Sequence, residues 1–404
     1  MDIEVRPCAS VEELRDALNA ISHYFGQENQ LEQAERFAQL IEVERMHAAF
    51  DGDRVVGGAG AFAYRMSVPG GGLVPAAGVT VVGVLPTHRR RGALSAMMRA
   101  QLEDCRTRGD LVAYLWASES TIYGRFGYGL ASRIGAIRLG RDRAGFAQPF
   151  EQRGTVRLVG LEEAAGTFPA LYDAVAAQRP GMFQRSKAWW ETRKLFDDPG
   201  RRQGGPLNRA LLELDGQPAG YALYRVQQDW QNGFSKGAVT ISEVVTPTAE
   251  ATRELWRWLL DFDWTSEFVA DLLPLDHPLF LLLAEPRRMQ FTLNDGVWVR
   301  LVDVPGALAA RSYAAADPVV FEVVDALLPE NGGRWHVSSE GVERTRAAAD
   351  LKLDVAQLGS VYLGGFDFAG LARASRIQEL KPAAAARADE LFRTAAEPWC
   401  AEIF

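Results

Sequence analysis

The chain is poor in the residues that build metal centres and disulfides. Its three cysteines among 404 residues (Cys8, Cys105, Cys400) are too few and too scattered for a disulfide framework or a CxxC metal site. Five histidines (His23, His47, His88, His277, His336) are equally dispersed, without an HxxxH or HxxE pairing, so no metal is expected. Long apolar runs are missing as well. The longest, such as residues 279–284, fall far short of a membrane span. The opening MDIEVRP lacks the basic-then-apolar run of a secretory signal. A basic excess is also absent. The formal charge of −8 argues against general affinity for nucleic acid or anionic lipid and is compatible with a cationic partner. A cytoplasmic protein in a reducing setting is predicted, with no membrane and no nucleic-acid partner.

What is present is the balance of ordinary globular protein, 48% hydrophobic and 24% charged residues. At roughly 100–200 residues per domain, the length centres on three domains. Residues 3–6 read as a strand. Ser10, with Glu13 three residues on, reads as a capping box opening a helix to about Tyr24. Residues 54–63 form a glycine-rich strand, Gly70-Gly71-Gly72 a hairpin tip, and residues 76–85 a strand apolar enough to be buried on both faces. A helix over residues 92–108 carries Leu94, Met97, Met98, Leu102 and Cys105 at helical spacing and stops at Gly109. Residues 111–117 form the next strand, a β-α-β unit whose strands should run parallel.

Glycine, proline and charge cluster at residues 140–154, the first boundary. Helices are expected at 167–179 and 187–196, a Gly/Pro-rich loop at 198–206, and strands at 210–214 and 220–225. Residues 241–262 then repeat the plan of residues 79–104: buried strand, proline (Pro247 against Pro86), short turn, amphipathic helix. A diverged second copy of the first block is implied. The third block has strands at 297–302, 334–337 and 351–355 and an alanine-rich helix near 382–393. The resulting domains are 1–145, 146–295 and 296–404.

The most specific local signal is Val82-Gly83-Val84-Leu85-Pro86-Thr87-His88-Arg89-Arg90-Arg91-Gly92-Ala93. A helix N-terminus leaves backbone N–H groups unpaired beside a positive dipole end, which suits a phosphate. Three arginines add charge, and a glycine allows close backbone approach. A solvated basic run opening a surface helix is the plain alternative. The buried strand before it and the second strand beyond favour the binding turn.

This segment resembles the acetyl-CoA motif of the GNAT (Gcn5-related) N-acetyltransferases, R/Q-x-x-G-x-G/A, with Arg89, Gly92 and Leu94 in the pattern. Leu94 departs from the usual small residue. The resemblance implies that Val82, Gly83 and Val84 bond the pantetheine arm. Arg90, Arg91, Gly92, Ala93, Leu94 and Ser95 would hold the pyrophosphate, with Ser118 and Glu119 also at the cofactor. Tyr123-Gly124-Arg125-Phe126-Gly127-Tyr128 reads alone as a glycine turn with core aromatics. After this β-α-β unit it resembles the segment whose tyrosine faces the cofactor sulfur. Tyr123 is then the candidate general acid, since a phenol of pKa ~10 can protonate a leaving thiolate of pKa ~8.5. Tyr128 reads as packing.

Over nearly its whole length the chain resembles the enhanced intracellular survival (Eis) family. Its order is a GNAT unit, a degenerate copy, a sterol-carrier-like α/β block and a final aromatic residue. Gly220-Tyr221-Ala222-Leu223-Tyr224-Arg225-Val226 and Leu358-Gly359-Ser360-Val361-Tyr362-Leu363-Gly364 are further local agreements. The implied fold class is α+β. The implied activity is acetyl transfer from acetyl-CoA, without a metal, to primary amines of a cationic small molecule, aminoglycoside-like, or to a lysine side chain. The general base implied is the terminal carboxylate of Phe404, and the implied assembly a homohexamer. The middle copy has Thr248-Ala249-Glu250-Ala251-Thr252 after Pro247 and should not bind coenzyme A, because Glu250 would repel a pyrophosphate. Departures fall at the substrate pocket. Ile403 stands where familiar members carry an acid, with Glu402 one step earlier, Val81 replaces a bulkier aromatic, and no acid but Glu28 lies near His23-Tyr24-Phe25-Gly26. An inactive scaffold binding an apolar ligand through the last block, with Phe321, Trp335, Tyr362, Phe366, Phe368 and Phe392, is the competing reading.

Overall fold

The computed structural model describes residues 3–197 and 204–404. Most of the loop expected at 198–206 therefore lies outside the described residues. The chain divides into two compact units. One comprises Met1–Ser132, Gly296–Pro398 and Ile403–Phe404, and the other Arg133–Asp295 and Trp399–Glu402.

The first unit is built on a seven-stranded sheet. Strands β1 (Glu4–Pro7), β2 (Met46–Asp51), β3 (Arg54–Ser67), β4 (Leu73–Val84) and β5 (Val112–Trp116) follow in order, then the strand Val297–Leu301, then β6 (Gly129–Leu130) at the edge. Helices α1 (Val11–Ser22), α2 (Leu31–Ala38) and α3 (Ala93–Thr107) flank it. Ser10 caps α1 by accepting from the Glu13 amide at 3.3 Å. The reciprocal half of the expected capping box is diverted, because Glu13 accepts from the Ala9 amide and pairs with Arg6 at 2.6 Å.

The predicted β-α-β unit is present, and β4 and β5 run parallel. Their pairing is short. Only Ala76, Ala77 and Gly78 find partners, opposite Val112, Ala113 and Tyr114, and beyond them the strands part. On its other side β4 stays paired to β3 but carries a bulge at Val81, whose φ is 47°. A bulge bends and overtwists its strand, which carries the end of β4 away from β5. Val81 packs on the cluster of α1, α2 and β2 that includes Leu14, Ala34 and Met46.

The third block is a five-stranded sheet with the helix Val355–Tyr362 packed on the strand Val297–Leu301 and on β6. Phe321, Phe368 and Phe392 meet one another at centroid distances of 5.0–5.7 Å. The Arg311 guanidinium lies 4.2 Å over the Phe392 ring. Those aromatics fill the block's core.

The second unit has its own seven-stranded sheet. The strands Ala238–Val245 and Glu267–Leu273 run parallel, joined by the helix Ala249–Leu259, repeating β4–α3–β5. The borders drawn at 145 and 295 differ from the pairing of the strands. Arg133–Gly140 belongs to the second sheet, and Val297–Leu301 to the first. The helix expected from 167 begins earlier, spanning Leu161–Ala176 with Pro169 inside it. The helix expected at 187–196 is a short α turn, Lys187–Trp189, running into a π-helical stretch, Trp190–Lys194.

Candidate active site

A cavity of about 660 Å³ opens where β4 leaves β5. Val82, Gly83 and Val84 form one wall, and Ser118, Glu119, Ile122 and Tyr123 another. Arg89, Arg90, Gly92, Ala93, Leu94 and Ser95 stand at the start of α3. Beyond Gly78 the edge of β4 that faces β5 is no longer engaged in the ladder, so its backbone groups, apart from the Val84 carbonyl that accepts from Tyr24, are available to a ligand.

The start of α3 is open in the same sense. Gly92 takes φ 87°, a left-handed conformation that glycine adopts without cost, and no side chain caps the helix. The amides of Ala93, Leu94 and Ser95 therefore have no intrahelical acceptor. Arg89 and Arg90 are exposed and form no ion pair among the described residues. Arg90 itself has φ 62°, so two left-handed residues, Arg90 and Gly92, turn the loop around the helix end. Arg91 differs from its neighbours. It points to Asp51 at 3.4 Å, does not line the cavity, and shares that carboxylate with His88 Nε2 at 3.1 Å.

Tyr123 closes a one-turn helix, Ser120–Tyr123. Its ring meets Tyr128 edge to face at 5.9 Å, and it is buried apart from the surface it gives the cavity. Burial pushes its phenol up to about 12, so the hydroxyl stays protonated at neutral pH. Tyr128 is fully buried core, as expected.

Phe404 is buried in the first unit. Its ring meets Tyr114 at 4.8 Å and Tyr64 at 5.4 Å, both edge to face. Side chains alternate across a sheet. Ala77, Val79, Ala113 and Leu115 face α3 and Tyr123, so Gly78 and Tyr114, beside Phe404, face the other way. Phe404 and Tyr123 thus lie on opposite faces of the sheet, at the level where β4 and β5 separate.

Tyr24, Phe25, Ile21, His88, Ile122 and Arg125 also line the cavity and were not singled out as ligands from the sequence. Tyr24 is fixed by its hydroxyl donating to the Val84 carbonyl at 2.7 Å. The segment after α1, read as poor in acids, borders a depression lined by Asp16, Glu28, Asp51 and Asp53. Among the described residues no group of His, Cys, Asp and Glu could hold a metal ion. Among the same residues no helix is long and apolar enough to cross a membrane.

The second copy is closed at the corresponding turn. Thr248 Oγ1 accepts from the Ala251 amide at 3.2 Å, capping the helix from within. Glu250 lies beside Arg153 at 3.3 Å. The turn has no glycine, and a side-chain oxygen and the Glu250 carboxylate stand where a pyrophosphate would have to sit.

Comparison with known proteins gives a consistent picture. Residues 4–131 and 181–301 each match an acetyltransferase (GNAT) domain family, and residues 304–401 match a sterol carrier protein domain. An uncharacterized N-acetyltransferase of Streptomyces avermitilis is 41% identical over 91% of both chains. The N-acetyltransferase Eis of Mycobacterium tuberculosis is 37% identical over 81% of this chain and 80% of that one. The crystal structure of Eis1 from Mycobacterium abscessus superposes with a TM-score of 0.85 at 36% identity, covering 99% of this chain and all of that one.

Proposed function

Given that the chain belongs to the Eis family of GNAT N-acetyltransferases, we propose that it transfers acetyl from acetyl-CoA to a primary amine of a cationic substrate. The observation that carries this reading is the single cavity joining the freed edge of β4, the uncapped start of α3 and the Tyr123 hydroxyl. The residues fit the cofactor. Val82, Gly83 and Val84 would hold the pantetheine arm, and Arg90 with the amides of Gly92, Ala93, Leu94 and Ser95 the pyrophosphate, with Ser118 and Glu119 across the cavity. Arg91 contributes through the turn it fixes on Asp51.

The substrate amine must be neutral to attack the thioester carbonyl. The Phe404 carboxylate attracts the ammonium and takes its proton, and a dry setting raises a carboxyl's pKa and improves it as a base. The new C–N bond forms as the C–S bond breaks, and Tyr123 donates its proton to the departing thiolate. Aminoglycosides and lysine side chains are the substrate classes to assay, and a hexamer the assembly to look for. The competing reading, an apolar ligand in the last block, is less well supported, because Phe321, Phe368 and Phe392 are already packed on one another.

The test is thiol release from acetyl-CoA across an amine panel, for the wild type, Tyr123→Phe and a variant lacking Phe404. Both variants should lose about 10²–10⁴-fold in kcat, the usual range for acid–base assistance. Full kcat in both would sink the mechanism. A C-terminal tag, which turns the Phe404 carboxylate into an amide, should silence the enzyme in the same way.

A further inference from the structure

The freed edge of β4 is short, and one of its acceptors is already used from within the chain. Leu85 donates its amide to the Val56 carbonyl at 2.8 Å, and the Gly83 carbonyl lies 3.1 Å from where a Cβ on Gly57 would stand, so both residues turn towards β3. Backbone groups alternate along an antiparallel strand. Val82 and Val84 therefore present theirs on the opposite edge, in the cavity that both residues line. There the Val84 carbonyl accepts from the Tyr24 hydroxyl at 2.7 Å.

That reach is built into the fold. Tyr24 stands in the short helical turn His23–Phe25, which continues α1 and ends at Gly26 with φ 63°. The end of α1 lies directly on β4, and a Cβ on Gly83 would sit 2.7 Å from Ile21 Cβ. Glycine at 83 thus lets α1 approach closely enough for Tyr24 to meet the next carbonyl along the strand. The His23 ring braces Tyr24 edge to face at 5.8 Å.

We infer that Tyr24 sets the register in which β4 receives the pantetheine arm. This rests on the reading of the cavity as the cofactor site. Val82 and Val84 present the same pair of backbone groups two residues apart, ~7 Å along the strand. Register is weakly specified where a strand offers little but backbone, and an extended chain of amides could pair at either place. With the Val84 carbonyl held by Tyr24, the Val82 carbonyl is the acceptor left to an incoming amide N–H among residues 82–84. A freed Val84 carbonyl would open a second seat ~7 Å away. A thioester displaced that far is out of reach of Tyr123, since misplacement by ~1 Å already costs about 10²-fold. Tyr24 is thus a positioning residue that acts on the reaction through the strand.

The experiment compares the wild type with Tyr24→Phe and Tyr24→Leu. Tyr24 is 45% exposed, so losing its hydroxyl should leave the fold intact. Calorimetry measures the Kd of coenzyme A and of its nucleoside diphosphate part, which lacks the pantetheine arm. In both variants the Kd of coenzyme A should fall by about two- to fivefold, the span between two equally deep seats and a new seat deepened by one hydrogen bond. The Kd of the nucleoside diphosphate part should not change. Wrongly seated cofactor lowers kcat and KM by the same factor, so both should fall together for acetyl-CoA while kcat/KM holds. A KM that rises, or a kcat that stays at the wild-type value, overturns the inference. An effect confined to Tyr24→Leu assigns it to the ring and overturns the role of the hydroxyl. An equal shift for the nucleoside diphosphate part places the action of Tyr24 at the turn and overturns it as well. If the wild type neither binds coenzyme A nor releases thiol, the cofactor reading itself fails and the register with it.

Discussion

Gly78 and Tyr114 are the last residues paired between β4 and β5, and the ring of Phe404 rests against both. A side chain at position 78 would meet this packing head on. Its Cβ would lie 2.3 Å from Tyr64 Cε2 and 3.3 Å from Phe404 Cε2. Gly78→Val should therefore displace the Phe404 ring and lower kcat by about 10–100-fold, as misplacement by an ångström does. The KM for acetyl-CoA should change little. Steady-state kinetics on protein of native circular dichroism checks this, and an unchanged kcat would remove Phe404 from the chemistry.

Arg89 and Arg90 differ from Arg91 in having no carboxylate beside them, and this should separate their variants. Loss of one exposed charge next to a bound phosphate costs about 1 kcal/mol, near fivefold in affinity. Arg90→Ala should raise the KM for acetyl-CoA by that factor, with the difference shrinking at high salt. Arg91→Ala, which loses its Asp51 partner, should have the smaller effect. A larger effect at Arg91 would mean that the turn's shape, rather than its charge, holds the cofactor.

His277 is buried in the second unit, with Nδ1 accepting from the Leu279 amide at 3.2 Å and its ring against Trp256 at 5.0 Å. Burial, with Arg179 nearby, lowers its pKa to about 3. In the unfolded chain an imidazole titrates near ~6.5. Between these values the unfolded state binds the extra proton, so stability falls as pH drops from ~6.5 towards 3. Urea midpoints measured at pH 7 and pH 5 should differ less in His277→Asn, which keeps an acceptor for the Leu279 amide. Equal differences in both proteins would assign the acid sensitivity elsewhere.

Glu243 moves the other way. Burial raises its pKa, but Arg185 and Lys194 outweigh burial and hold it at about 2. A carboxyl depressed on folding adds stability above its unfolded value of ~4.3, and that stability is lost as pH falls through the window to about 2. Glu243→Gln leaves Arg185 without its main partner and should destabilise the protein by about 3–5 kcal/mol at pH 7, and by less at pH 3. Calorimetry at the two pH values decides it. A loss that does not depend on pH would point to packing instead.

Local patterns carried much of this molecule in plain view. The strand before Pro86, the helical spacing of Met97, Met98 and Cys105, and the glycine at 92 are signals read within a dozen residues. The cavity they frame contains all but one of the cofactor residues they suggested, the exception being Arg91. What escaped was non-local. No pattern in residues 133–140 or 297–301 says which sheet each strand will join, because that is decided by partners more than a hundred residues away. Glu402 was visible as an acid near the end of the chain, but its partners, Arg185 and Trp189, lie over two hundred residues earlier. The start of the helix Leu161–Ala176 was hidden by Gly166, which speaks against a helix locally and is overruled by the packing of Ala164, Phe168 and Tyr172.

The two helix starts, one capped by Thr248 and one left open at Gly92, carry a consequence for the protein's lifetime. A helix that caps itself is complete on folding, whereas one that waits for an anion is completed only by its ligand. Any ligand that binds the folded chain alone stabilises it by RT ln(1 + [L]/Kd), about 2.7 kcal/mol at a hundredfold excess over Kd. The first unit should thus unfold less often, and be degraded more slowly, when the anion that fills its turn is plentiful. Abundance of the protein would then follow the supply of its own cosubstrate, with no regulator beyond three unpaired amides.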